Sequence, residues 1–162
     1  MRLHITHLNN SGGIILTICY YPFMTSNKTL PNSRSVEAYL SEIINETQRA
    51  DAISLTKLMA EVTKKEPVMW GTGIIGFGIH HYVYDSGREG ETVAVGFAAR
   101  KQAIVVYGLG KNIENAALAS KLGMPTDVKG CLYIKNLSSI DLNIFRQMVA
   151  NSFQHRNNSQ TQ

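Results

Sequence analysis

The chain is poor in the features that announce a specialised class. Of its 162 residues only two are cysteine, Cys19 and Cys131. They form no C-x-x-C motif, and no His or Cys stands at zinc spacing from either. This argues against a disulfide-stapled scaffold and fits reduced thiols in a cytoplasmic protein. No apolar run is long enough to span a bilayer, so no membrane partner is expected. No nucleophile elbow and no phosphate-binding loop occurs. Lys and Arg give a formal charge of +4 and a pI near 9.1, yet no basic run reaches five residues. Nucleic acid is therefore a disfavoured partner, while an acidic small molecule or protein suits the mild basicity.

What is present is one domain's worth of chain, long enough to bury a core without staples. It is organised around Pro67 to Tyr107, which holds the single Trp, most of the Gly, the adjacent pair His80-His81 and three β-rich runs. Helical patterns flank this stretch on both sides. Before them, residues 1–23 carry an apolar run, Ile14 to Phe23, behind a thin positive region. Pro22 interrupts its end and no small-x-small cleavage site follows, which argues against a signal peptide. Met24 is read as the start of the chain proper, with 1–23 an over-extended start or disordered tail and 24–34 a polar leader.

Ser33 to Ser35 offers hydroxyls to cap a first helix, with Glu37 in the favourable first turn. Val36, Tyr39, Leu40, Ile43 and Ile44 fall at helical spacing. A second helix is predicted over Thr47 to Lys64, its stripe being Leu55, Leu58, Met59 and Val62, stopped by Pro67. After a turn at Gly71-Thr72-Gly73 come a strand over Ile74 to Tyr84, a hairpin loop over Asp85 to Gly90 and a return strand over Thr92 to Ala99. Strict alternation places Ile75, Phe77, Ile79, His81 and Val83 on one face and Gly76, Gly78, His80, Tyr82 and Tyr84 on the other. Apolar matching sets Phe77, Ile79 and Val83 beside Val93, Val95 and Phe97. The glycine-rich face is either a bed for close packing or a shallow ligand site. A third strand over Gln102 to Leu109, a helix from Asn112 to Leu122 ended by Gly123, a strand over Cys131 to Lys135 and a helix capped by Asp141 to about Phe153 complete the pattern. A frayed tail over 155–162 follows. The expected architecture is α+β: an antiparallel sheet of about four strands with helices packed on one face, in the order α-α-β-β-β-α-β-α, over residues 35–154.

The strings Ser35-Val-Glu-Ala-Tyr-Leu, Arg49-Ala-Asp-Ala, Met69-Trp-Gly-Thr-Gly-Ile-Ile-Gly-Phe-Gly, His81-Tyr-Val-Tyr, Ser86-Gly-Arg-Glu-Gly, Arg100-Lys-Gln-Ala and Lys129-Gly-Cys-Leu-Tyr-Ile-Lys resemble the YdhG-like family, a domain of unknown function. The resemblance spans about Ser35 to Val149. It implies a small α+β domain and little biochemistry. One branch of the family is described as frataxin-like iron chaperones, so iron enters as a cofactor or cargo implied by resemblance alone. An iron ridge needs carboxylates, and here only Glu37, Glu42 and Glu46 approach one. Family members carry a Lys-rich stretch where this chain has Gly123-Met-Pro-Thr-Asp-Val before Lys129.

Three functions compete. The favoured one is a non-enzymatic binding module for a small anionic ligand or a protein partner, using Trp70, His80, Tyr82, Tyr84, Arg100, Lys101, Lys129, Tyr133 and Lys135. Aromatic rings provide rigid contact area and the basic groups select an anion. Trp70 alone reads as core or a lid on the core, and Arg100 and Lys101 more often form a solvated turn than a site. The alternative is metal delivery from His80, His81, Glu89 and Glu91, against which adjacent His on a strand face opposite ways. The last is a thiol enzyme pairing Cys131 with His80 or His81, for which no orienting third group is visible.

Overall fold

The computed structural model describes residues 29–109, 113–122 and 130–158. Met24, the run Ile14 to Phe23, the caps expected at Asn112 and Gly123, and Lys129 with the loop before it lie outside these residues.

Ser35 opens the first helix, α1 (Val36–Ser41), its hydroxyl accepting from the Ala38 N–H at 3.1 Å. Val36, Leu40 and Ile43 are buried, but Ile44 is 95% exposed, because the helix ends at Ser41 and the stripe ends with it. Asn45 caps α2 (Glu46–Thr63), accepting from the Gln48 N–H. Ala52, Leu55, Leu58 and Met59 form its buried stripe, and Lys64 closes it at φ 55°, in the left-handed region.

Six strands make one antiparallel sheet: β1 (Pro31–Asn32), β2 (Val68–Trp70), β3 (Ile74–Val83), β4 (Glu89–Ala99), β5 (Ile104–Tyr107) and β6 (Leu132–Ile134). They lie side by side in chain order. The α+β class and the antiparallel order hold, but the expected count of four strands is corrected to six. The two additional strands are two and three residues long, too short for an alternating pattern to show. One of them, β1, falls inside the segment read as a polar leader. Helix α3 (Ile113–Lys121) follows β5, and α4 (Leu142–Asn158) closes the fold. The Asp141 carboxylate caps α4 by accepting from Asn143 and Ile144. This helix runs through His155 and Arg156, where the sequence predicts a frayed tail.

Helices α2 and α4 lie against β3 and β4, and one core joins Leu55, Met59, Met69, Ile75, Phe77, Val95, Phe97, Phe145 and Val149. A buried polar knot ties α3 to α4. The Asn115 amide donates to the Leu109 carbonyl at 2.5 Å and reaches the Met148 carbonyl and the Ser152 hydroxyl, while Ser152 donates to Leu109. Satisfied in this way, the buried amide fixes helix position without an orphaned polar group.

The faces of the β3–β4 hairpin differ from strict alternation. Gly78 has φ +71°, and a Cβ placed on it would stand 2.8 Å from the Phe153 ring of α4. Phe77 and Gly78 therefore both turn to the helices, and every later side chain of β3 changes face. Ile79 is 39% exposed and Val83 68% exposed, both outside the core, while His80 turns toward α4. In β4 the matching step leaves Ala94 and Val95 both in the core and Val93 on the outer face. The two strands pair as an antiparallel hairpin as expected, but the apolar matching is corrected in part: Phe77 stands opposite Val95 and Ile79 opposite Val93, while Phe97 faces Ile75 and Val83 faces Glu89 beyond the apolar stretch.

Candidate functional site

The glycine-rich bed is filled. Gly76 pairs with Gly96 in the middle of the sheet. Cδ1 and the indole nitrogen of Trp70, with Val93 Cγ2, stand within 2.5–2.7 Å of where a Cβ on Gly76 would sit. Trp70 follows Met69, which is in the helix-side core, so its ring lies on the opposite, outer face. No side chain larger than hydrogen at Gly76 would leave room for the indole, which is 2% exposed. The glycines thus serve close packing, by an indole from the neighbouring strand.

Next to this plug the sheet has a step. β2 pairs with β3 only over Ile74–Gly76, and β3 runs on to Val83. In the step lies a cleft of about 400 Å³, lined among the described residues by Pro31, Lys65, Glu66, Val68, Trp70, Gly78, Ile79 and His81. The floor is the edge of Trp70, and Val68 and Ile79, 40% and 39% exposed, are its apolar walls. Lys65 and Glu66, in the connection from α2 to β2, form one side of the rim. His81 forms the other, and its Nδ1 lies 3.0 Å from the Glu91 carboxylate directly across the hairpin.

The residues proposed from sequence do not meet on one surface. Trp70 is in the cleft. His80, Tyr82 and Tyr84 make a ladder along the far end of β3, with ring centroids 6.4 and 5.1 Å apart. Tyr82 lies over its cross-strand partner Gly90, whose missing Cβ makes room for the ring. His80 Nδ1 is 3.2 Å from the Arg156 carbonyl. A carbonyl only accepts, so Nδ1 carries the proton. The His80 pKa lies below the ordinary histidine value, chiefly because partial burial disfavours the cation, with the positive charges of Arg156, His155 and His81 acting in the same direction and the bond to the carbonyl opposing. The Arg156 guanidinium reaches the Val93 carbonyl at 3.4 Å, and burial lowers its pKa too. Arg100 and Lys101 stand in the β4–β5 turn, at the opposite end of the sheet from Tyr84, where Arg100 donates to the Tyr107 hydroxyl. Tyr133, 49% exposed, and Lys135 belong to β6 and its exit, at the opposite edge of the sheet from β1. Lys129 lies outside the described residues.

The other candidate chemistries come apart for the same reason. β4 and β5 stand between β3 and β6, which puts Cys131 at least about 14 Å from the His80–His81 backbone by strand spacing. His80 and His81 turn to different partners, Arg156 and Glu91. Glu42 is ion-paired with Arg34, and Glu37 accepts from the Ser35 hydroxyl, which holds its pKa low. Among the described residues no three His, Cys, Asp or Glu side chains cluster. No helix among them is long and apolar enough to cross a membrane.

Compared with models of known protein families, with curated proteins and with solved structures, the chain has no match. The cleft must be read from its own residues. Sequence reasoning missed Lys65, Glu66, Val68 and Ile79 as site residues, and weighed His81 only as a metal ligand or as a partner of Cys131. The one available signal was the unusual Trp-Gly-Thr-Gly turn beside a Pro-interrupted strand start.

Proposed function

We propose that the protein is a non-enzymatic binding module, and that it takes a small ligand with an apolar body and an acid group into the Trp70 cleft. The observation that supports this reading is the cleft's composition. Its volume is in the range of small-molecule sites, and it has an apolar floor and walls with a few polar groups at the rim. His81 already has a carboxylate partner in Glu91, so Lys65 is the cation that meets the ligand's acid.

Trp70 is the single Trp of the chain and stands at the site, so its fluorescence reports binding directly. Titration with 3-phenylpropanoate, an apolar body with one acid group, should change Trp70 emission saturably, and Lys65→Gln should weaken the apparent affinity about tenfold. An unresponsive indole, confirmed by a flat calorimetric titration at millimolar ligand, would remove the reading.

A further inference from the structure

The cleft carries a second rim charge that an acid alone leaves unmatched. Glu66 follows Lys65 in the chain, and both line the cleft. Both are exposed, and among the described residues the ion pairs are Arg34–Glu42, His81–Glu91 and Arg146–Glu61, none of which involves Lys65 or Glu66. Among the described residues, the rim therefore presents one cation and one anion outside any ion pair, on adjacent positions of the chain above an apolar floor.

A simple organic acid entering here would satisfy Lys65 and bring its own negative charge against Glu66. Like charges brought together as water is displaced oppose binding, and an unmatched carboxylate resists desolvation. A ligand with a cation and an anion on neighbouring atoms answers both groups at once. An α-amino acid bears its ammonium and carboxylate on one carbon, and adjacent residues present the two complementary charges. The remaining lining, Val68, Trp70 and Ile79, suits an apolar side chain lying against indole and branched aliphatic surface. Resting on the reading of the cleft as a small-molecule site, we infer that its ligand class is the free α-amino acids with apolar side chains: the carboxylate on Lys65, the ammonium on Glu66 and the side chain over Val68, Trp70 and Ile79.

Three probes of the same skeleton separate this inference from the reading beneath it: L-phenylalanine, 3-phenylpropanoate, which lacks the ammonium, and 2-phenylethylamine, which lacks the acid. Each is titrated into the full chain with Trp70 fluorescence and calorimetry as readouts. L-Phenylalanine should bind about tenfold tighter than either analogue. Glu66→Gln should erase its advantage over 3-phenylpropanoate, and Lys65→Gln its advantage over 2-phenylethylamine. Both changes are at exposed positions, and unchanged far-ultraviolet circular dichroism would show the fold intact. If 3-phenylpropanoate binds as well as phenylalanine and Glu66→Gln changes nothing, the amino-acid assignment is overturned while the acid-binding site stands. If none of the three binds, both are overturned.

Discussion

The β3–β4 hairpin has two halves that share a register and differ in almost everything else. From Ile75 to Phe77, and from Val95 to Ala98 opposite, every residue is buried between the helices on one face and the Trp70 plug on the other. From Ile79 to Val83 and Glu89 to Thr92 no residue is fully buried. The division falls at Gly78, whose positive φ turns the strand over. The inner half is framework. The outer half has its outward residues, Ile79 and His81, walling a cleft, and its inward residue His80 carried past the core toward the end of α4. One glycine thus converts a continuous strand into a structural segment and a surface segment.

Four substitutions or conditions would break or sharpen this contrast. The largest effect is expected in the inner half: Phe77→Ala should cost about 3–5 kcal/mol in urea denaturation, through lost burial and the cavity left behind. Next comes the divide. Gly78→Ala forces an L side chain to φ +71° and drives a methyl into the Phe153 ring, together about 2–4 kcal/mol. Adding Phe153→Leu should recover the steric part and leave the backbone part, and full recovery would show that φ is not strained.

A smaller effect is expected from pH. The folded state holds His80 with a lowered pKa, so the unfolded chain binds more protons once the pH falls below the ordinary histidine value of about 6.5. Stability from this residue is present above that pH and is lost as acidification continues through the folded pKa. Denaturation curves from pH 7 to 5 should show a shallower loss in His80→Gln than in the parent chain. Equal slopes would place the proton linkage elsewhere. The smallest effect belongs to the outer half: Val83→Ala, at a side chain 68% exposed, should stay within about 0.5 kcal/mol. A cost comparable to Phe77→Ala would mean that the two halves are not distinct.

The parts of the fold legible in sequence were those with local causes. Ser35 and Asp141 cap helices because a side-chain oxygen reaches the next turn's N–H groups, and this needs no tertiary partner. That Phe77 and Ile79 lie beside Val93 and Val95 followed from matching apolar positions across one short loop, though the same matching wrongly included Val83. The illegible parts depended on distant partners. β1 and β2 are too short to carry a period, and exist because Pro31 and Asn32 meet Trp70 and Met69 from a position more than thirty residues away in the chain. Of the described residues chosen for the site, Trp70 alone lines the cleft, since chemistry of side chains indicates which residues suit a ligand but not which of them end up adjacent.

By itself, the sequence determined the α+β class, the two opening helices, the β3–β4 pairing and the closing helix, because periodicity, caps and turn residues act over a few neighbouring positions. Only the tertiary structure decided that Gly76 receives an indole, that Gly78 reverses the face of everything after it, and that Lys65, Glu66, Val68, Trp70, Ile79 and His81 share one cleft. The cause is geometric. A φ of +71° is open to any glycine and compelled by none, and here it is the close approach of Phe153 on α4 that goes with it.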